Sequence, residues 1–368
     1  MSFLIVHKKC VGLLIAMAFL SLGACAARKK SDPEPPQVQD STLKPYHSSS
    51  TTAEALTGCI QKKCTLRAIG DVYSSPTLDN ILDRLLVEKP EYGQHFDEFF
   101  KKIPKEVLED FLILFKTVRV IIIAEGDSNE GGFVIGDFLN LNSVLFTKNG
   151  SFLLAANEVD NGKLPVVYGD FFVKDGRRMA SDKPNDLSNQ LSIAHVLYHE
   201  LAHAADNPGP HAMSEALKGS NFQAESPILH NLALHMYGKK KITTNADHYI
   251  SENISKAFEQ AKGVSLYSFV NSQEDLATTF EKFMLLNRFG MEWVIVLADS
   301  KVMQLPMADR PISWGEKNSV LSERMQPKVK FILQKILPGR ILSETLPFSY
   351  SRLEGGKTIE QIFTPGSV

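Results

Sequence analysis

The chain has 368 residues, 43% of them hydrophobic and 22% charged, a composition that excludes a disordered or fibrous polymer and fits a globular protein. Its 40 Lys and Arg against 42 Asp and Glu leave a net charge of −2, so no polybasic footprint for nucleic acid is present. No internal repeat is visible, and about 310 residues after the N-terminal segments suffice for one large domain or two small ones.

His7-Lys8-Lys9 gives a basic start, and Val11 to Leu22 is an apolar run of secretory length, too short for a membrane span. Residues 1–24 therefore read as a signal peptide. It ends in Leu22-Gly23-Ala24-Cys25, which resembles the lipobox of bacterial lipoproteins. The resemblance implies cleavage before Cys25, lipidation of the Cys25 sulfur, and anchoring to a lipid bilayer of the bacterial cell envelope. Several acyl chains hold a protein there stably where one does not. An ordinary signal peptide cut near Ala24 or Ala27 is the alternative. Ala26 stands where Asp commonly marks inner-membrane retention in Gram-negative lipoproteins, so the same resemblance favours the outer membrane.

From Cys25 to Gly58 the chain is rich in Pro, Ser, Thr and charge, and reads as a flexible tether. Cys10 leaves with the signal peptide and Cys25 takes the lipid, so Cys59 and Cys64 remain of the four cysteines. In an oxidising periplasm this nearby pair is expected to form a disulfide.

Residues 59–187 form the N-terminal helical and strand-rich part. Leu78 to Lys116 reads mostly helical, with Pro90 and Pro104 as breaks. Val118 to Ala124 is the strongest strand. Gly132 to Asp137, Ser143 to Thr147, Phe152 to Ala156 and Pro165 to Phe172 also read as extended, with Gly, Asn and Asp turns between them.

Residues 188–345 carry the chemistry. Ser188 to Asp206 reads as a helix, with Ser188 or Asn189 as cap and Ile193, Val196, Leu197 and Leu201 as a buried stripe. Asn207-Pro208-Gly209-Pro210 stops it. Within it lies His199-Glu200-Leu201-Ala202-His203, the pattern H-E-x-x-H. Composition alone would generate this pattern about 0.03 times in a chain with these 10 His and 42 acids, so its context decides. Four residues apart on a helix, His199 and His203 share a face and can offer two nitrogens to one metal. Zn2+ favours such ligands, and a catalytic site keeps a position for water. Glu200, turned away from ligation, can take that water's proton. The bland reading is an amphipathic helix with incidental histidines. His195, one turn earlier, reads as a packed side chain with its polar tip satisfied.

A third ligand is needed. Asp206 and Gly209 stand where a compact H-E-x-x-H-x-x-G-x-x-H site would need Gly and His, so the ligand lies elsewhere. Glu274 is the best candidate. Ser272 and Asp275 form an S-x-x-D cap pattern, which places Glu274 in a first helical turn. The bland reading is an acid favoured there by the helix dipole. Glu215, Glu225, His211, His230, His235 and His248 are rivals outside any comparable pattern.

The combination of HELAHAAD with Y-x-x-x-N-x-x-E-D-x-A-x-x-F resembles the zincin metallopeptidases of the gluzincin type. Within them it is most similar to the group of the anthrax lethal factor catalytic domain and related bacterial zinc-binding peptidases. The resemblance spans roughly Ser188 to Arg288. It implies an α+β zincin-like domain with a small sheet packed on the H-E-x-x-H helix, and zinc held by His199, His203 and Glu274. It also implies Glu200 as general base and Tyr267 as donor to the oxyanion, where the bland reading of Tyr267 is a buried aromatic. The pattern departs from the group at Thr278, where a second Glu is usual, and Glu281 lies one turn further on.

Beyond Arg288, Trp293 to Ala298 reads as a continued helix and Val320 to Leu337 as another, interrupted at Pro327; residues 346–368 form a tail. The expected function is zinc-dependent hydrolysis of a protein or peptide substrate at the envelope. The alternatives are a non-catalytic zinc-binding lipoprotein on the same scaffold and an amidase acting on cell-wall peptides.

Overall fold

The stretch expected to be helical from Leu78 to Lys116 is three helices and one short strand. The computed structural model describes residues 76–125, 131–147, 157–159, 164–179, 186–206, 212–220, 222, 224–237, 242, 246–302, 305, 309–340 and 346–363. All belong to the compact unit Leu43–Val368. The expected signal peptide and tether, Cys25, Cys59, Cys64, the expected strand Phe152–Ala156 and His211 lie outside the described residues.

Helix α1 (Leu78–Leu82) is capped by Thr77, whose side chain accepts from the Asn80 amide. Strand β1 (Leu85–Val87) follows, then helices α2 (Pro90–Lys102) and α3 (Lys105–Leu114). Pro90 and Pro104 start helices here instead of breaking one, because Pro has no amide hydrogen to lose at a helix entry. Phe96, Phe99, Phe100, Phe111 and Phe115 bury their rings together at 4.9–6.0 Å, mostly edge to face.

Strands β1, β2 (Val120–Ala124), β3 (Gly132–Ile135) and β4 (Phe138–Asn142) form one sheet in the order β1-β2-β4-β3. β1, β2 and β4 are parallel and β3 is antiparallel to β4. The run Val-Ile-Ile-Ile of β2 is buried throughout, as an interior parallel strand requires. Among the described residues β3 is bonded only to β4, which makes it the edge strand of this sheet as described. The expected strand Ser143–Thr147 is instead a turn of 3-10 helix over Ser143–Phe146, because the Asn142 side chain accepts from the Val144 amide and closes a helical turn.

The second sheet contains β5 (Asn157–Val159), β6 (Val166–Lys174), β7 (Arg177–Arg178), β8 (Glu292–Asp299), β9 (Ile312–Lys317) and β10 (Ser351–Leu353). Its order is β10-β9-β8-β6-β5, with β7 paired to β6 and all pairs antiparallel. Trp293–Ala298 is therefore not a continued helix but most of the central strand β8. Gly290 causes the change: its left-handed φ of 59° ends the preceding helix and releases Trp-Val-Ile-Val-Leu into a sheet buried on both faces.

The remaining helices are α4 (Asp186–Asp206), α5 (Ala212–Gly219), α6 (Pro227–Met236), α7 (Ser251–Gln260), α8 (Ser272–Phe289), α9 (Gln326–Ile336) and α10 (Ile359–Phe363). Ser188 and Asn189 lie inside α4, not at its cap. The cap of α8 is Asn271 and not Ser272; its Oδ1 accepts from the Gln273 and Glu274 amides, both at 2.9 Å. Pro327 sits in the first turn of α9, so it starts that helix instead of interrupting it.

Helix α4 packs on β3 and β4 and against α8; α8 packs in turn on β8 and α9. Every residue of α8 from Asp275 to Leu286 is buried, so it is a core helix with no solvent face in that stretch. Tyr198 of α4 stacks on Phe111 of α3 at 4.6 Å, a contact worth about 0.5–1.5 kcal/mol beyond its burial. Asp110 of α3, fully buried, accepts from Arg288 at 2.6 Å and Arg340 at 3.0 Å. Arg288 thereby ties the end of α8 to α3, and Arg340 ties the segment after α9 to the same acid. The architecture is mixed α+β with small sheets. Among the described residues no helix is long and apolar enough to cross a membrane.

Candidate metal centre

On α4, His195, His199 and His203 recur every four residues and so line one face. On α8, Glu274 and Glu281 are seven residues apart, nearly two full turns, and so line one face as well. The two faces meet. Glu281 contacts His195 and His199, and Glu274 contacts His199 and His203. The order of contacts runs in opposite directions along the two helices, so they pack antiparallel and their side chains alternate as a ladder.

Three ligand atoms converge at the His203 end of that ladder. The Nε2 atoms of His199 and His203 are 3.2 Å apart, and Glu274 Oε2 lies 3.2 Å from the first and 3.3 Å from the second. Neighbouring ligand atoms of a tetrahedral zinc site, at bonds of about 2.0–2.1 Å, are separated by roughly 3.3 Å. The triangle thus has the dimensions of one face of such a site. Among the described residues this is the one cluster of His, Cys, Asp and Glu able to hold a metal. Among the described residues no fourth protein ligand joins it, and a catalytic zinc site has that character.

The electrostatics suit a cation. Burial works against a charged His199, but hydrogen bonds to Glu274 and Glu281 and the Glu200 and Glu274 charges outweigh it and push His199 up to about 10. Burial likewise opposes charge on Glu274, yet its bonds to His199 and His203 hold the carboxyl well below the usual range. Glu281 is also held well below, against its own burial, by the charges of His195 and Lys282, by the close approach of His195 and by the hydrogen bond from His199.

The sequence places each group on a braced element. Leu197, Leu201 and Ala204 bury the opposite side of α4. Asn271 fixes the first turn of α8, and the next residue after Glu274 is buried Asp275, paired with the equally buried Lys328 and accepting from the Ala224 amide at 2.9 Å. Lys328 also donates to the Lys262 carbonyl at 2.6 Å.

Glu200 is buried at 7% exposure on the side of α4 that faces β3. A Cβ at Gly132 would stand 2.7 Å from the Asn140 carbonyl oxygen and 3.3 Å from Glu200 Cγ, so only glycine lets the edge strand come this close to the glutamate. Tyr267 lies in a 3-10 turn over Leu266–Phe269, its ring 5.9 Å from that of His199. The turn is pinned by the buried Tyr168 hydroxyl, which accepts from the Leu266 amide and donates to Asp170, both at 2.9 Å. Tyr237 packs edge-on against Tyr267 at 4.7 Å.

The rivals for third ligand that lie among the described residues stand apart. Glu215, Glu225, His230 and His248 are exposed, the His230 Nδ1 pairs with the Phe269 carbonyl at 2.6 Å, and His235 Nδ1 accepts from the Ile242 amide at 3.2 Å. Two residues underrated in the sequence join the cluster. Glu281 closes on His199, and His195 is not simply packed, because its Nδ1 lies 2.5 Å from Glu281 Oε1. Their regular spacing on the two helices was the available signal.

No family model, no curated protein and no solved structure matches the chain.

Proposed function

We propose that this chain is a zinc metallopeptidase built on a zincin-like α+β domain. The convergence of His199 Nε2, His203 Nε2 and Glu274 Oε2 at 3.2–3.3 Å carries the reading. Zinc held there would supply Lewis acidity, polarising a scissile carbonyl and lowering the pKa of water at the site. Glu200 supplies the base: its carboxylate accepts the proton of the attacking water and returns it to the leaving amine. Tyr267, beside His199, donates its hydroxyl hydrogen to the oxygen on which negative charge develops.

The substrate strand is taken up by β3. Its outer edge, unpaired among the described residues, would offer backbone amides and carbonyls to an extended peptide, and Gly132 sets that edge against Glu200. Phe133 and Ile135, 43% and 44% exposed, give it apolar contacts. A base beside three ligands, with no fourth among the described residues, supports catalysis over a purely structural metal site. Envelope anchoring through acylated Cys25 belongs to the same reading and rests on the N-terminal sequence.

The test is hydrolysis of a peptide library by zinc-loaded protein and its Glu200→Gln variant. The reading expects cleavage by the wild type and a loss of about 100-fold or more in the variant, which retains zinc. Full activity in the variant would overturn it. Cleavage confined to cell-wall peptides would assign the amidase alternative.

A further inference from the structure

His199 meets two carboxylates at once. Glu274 faces its Nε2, and Glu281 Oε2 stands 3.2 Å from its Nδ1. An ionised carboxylate only accepts, so the hydrogen on Nδ1 points to Glu281, and once the Nε2 proton is given up that nitrogen's lone pair is the one directed at the metal position. Thr278, one turn past Glu274, cannot do this: it is buried and its hydroxyl makes no hydrogen bond among the described residues.

Glu281 is itself fixed before it reaches His199. Its Oε1 lies 2.5 Å from His195 Nδ1 and 2.6 Å from Lys282 Nζ, both closer than His199. Lys282 Nζ is boxed by aromatic faces, 3.4 Å from the Trp293 ring centre and 4.3 Å from that of Phe172. Those rings belong to β8 and β6, and each of Glu281 and Lys282 is at most 4% exposed. Isolated charges at such depth cost several kcal/mol, so an acid and a lysine placed there together need a mutual partner. The cation–π contacts add to the pairing.

We propose that Glu281, clamped by His195 and the aromatic-boxed Lys282, is the positioning residue that orients His199 toward the metal. The inference rests on the zinc reading above and adds to it a specific support running from the second sheet through Lys282 and Glu281 to the ligand. Outer partners of this kind typically contribute 10- to 100-fold in metal affinity.

The test is the zinc dissociation constant, by competition with a chromophoric chelator, for the full chain and three variants. Glu281→Gln keeps an acceptor but strands Lys282, so the double variant Glu281→Gln/Lys282→Met is measured beside it to keep the interior neutral. Asp110→Asn removes the buried acid of α3 that pairs with Arg288 at the far end of α8, and controls for lost stability. Melting in the presence of chelator establishes that each variant folds. Zinc bound about 10- to 100-fold more weakly by the folded double variant, with Asp110→Asn melting lower but binding like the wild type, supports the proposal. Wild-type affinity in the folded double variant overturns it and leaves the zinc site standing. A wild type that takes up no zinc overturns both.

Discussion

Glu274 and Glu281 hold the two nitrogens of a single imidazole: each Oε2 lies 3.2 Å from His199, one at Nε2 and the other at Nδ1. The ring is thereby an imidazolium whose pKa is pushed up to about 10 in the absence of metal. Ligation through Nε2 would require the ring to give up that proton, while the one on Nδ1 would stay with Glu281.

The sign of the pH dependence follows. A raised histidine keeps its proton at every pH below about 10, so zinc competes with that proton throughout the neutral range. Glu274, held well below the usual carboxylate range, is already ionised there and contributes no proton. Zinc affinity should rise about tenfold per pH unit between pH 6 and 8. Chelator competition at three pH values checks this, and a flat profile would refute the displaced proton.

Glu274→Ala should do more damage than any outer-partner variant. It removes one of three ligand atoms, so the loss in zinc affinity should exceed the roughly 100-fold ceiling for outer partners. Metal analysis after gel filtration should find about one zinc per wild-type chain and far less in the variant. Zinc retained at wild-type level would move the third ligand elsewhere.

Gly132→Ala should separate binding of metal from turnover. The added methyl collides with the Asn140 carbonyl and crowds Val196 and Glu200, so the edge strand must shift. Overpacking of this kind costs about 1–3 kcal/mol. Peptide hydrolysis should fall while zinc affinity stays near the wild type, since the atoms nearest the added methyl belong to Asn140, Val196 and Glu200, none of them a proposed ligand. Unchanged kcat/KM would show that β3 does not set the position of Glu200.

Asp275 and Lys328 brace the start of α8 with both side chains at 0% exposure. Asp275→Asn leaves the ammonium buried and unpaired, at a cost of about 3–5 kcal/mol. The double variant Asp275→Asn/Lys328→Met should recover most of that, because replacing both charges is often neutral. Denaturant unfolding of the chelator-treated proteins gives both numbers. Equal destabilisation of the single and double variants would count against the pairing.

Much of the local structure could be read in advance. The H-E-x-x-H helix, the strand around Val120–Ala124 and the first-turn place of Glu274 follow from patterns confined to a few adjacent residues. What escaped depended on distant partners. Trp293–Ala298 is an apolar run compatible with helix or strand, and only its pairing with β6 and β9 makes it a strand. Thr278 was visible as a departure, but the reach of Glu281 to His199 spans 82 residues of chain. The spacings of the histidines and of the two acids were each legible; that the two rows face each other was a matter of helix packing. The short strand Leu85–Val87 was hidden because its identity is set by β2 beside it.

The antiparallel ladder of α4 and α8 makes the centre sensitive to register. Both acids ride on one uninterrupted helix, about 10.5 Å apart along its axis. Sliding α8 by one residue would turn both through about 100° and strip His195, His199 and His203 of their partners together. The site therefore has no half-built form: correct meshing of two helices and assembly of the metal centre are one event, and a chain that holds zinc tightly has thereby reported that its core is in register.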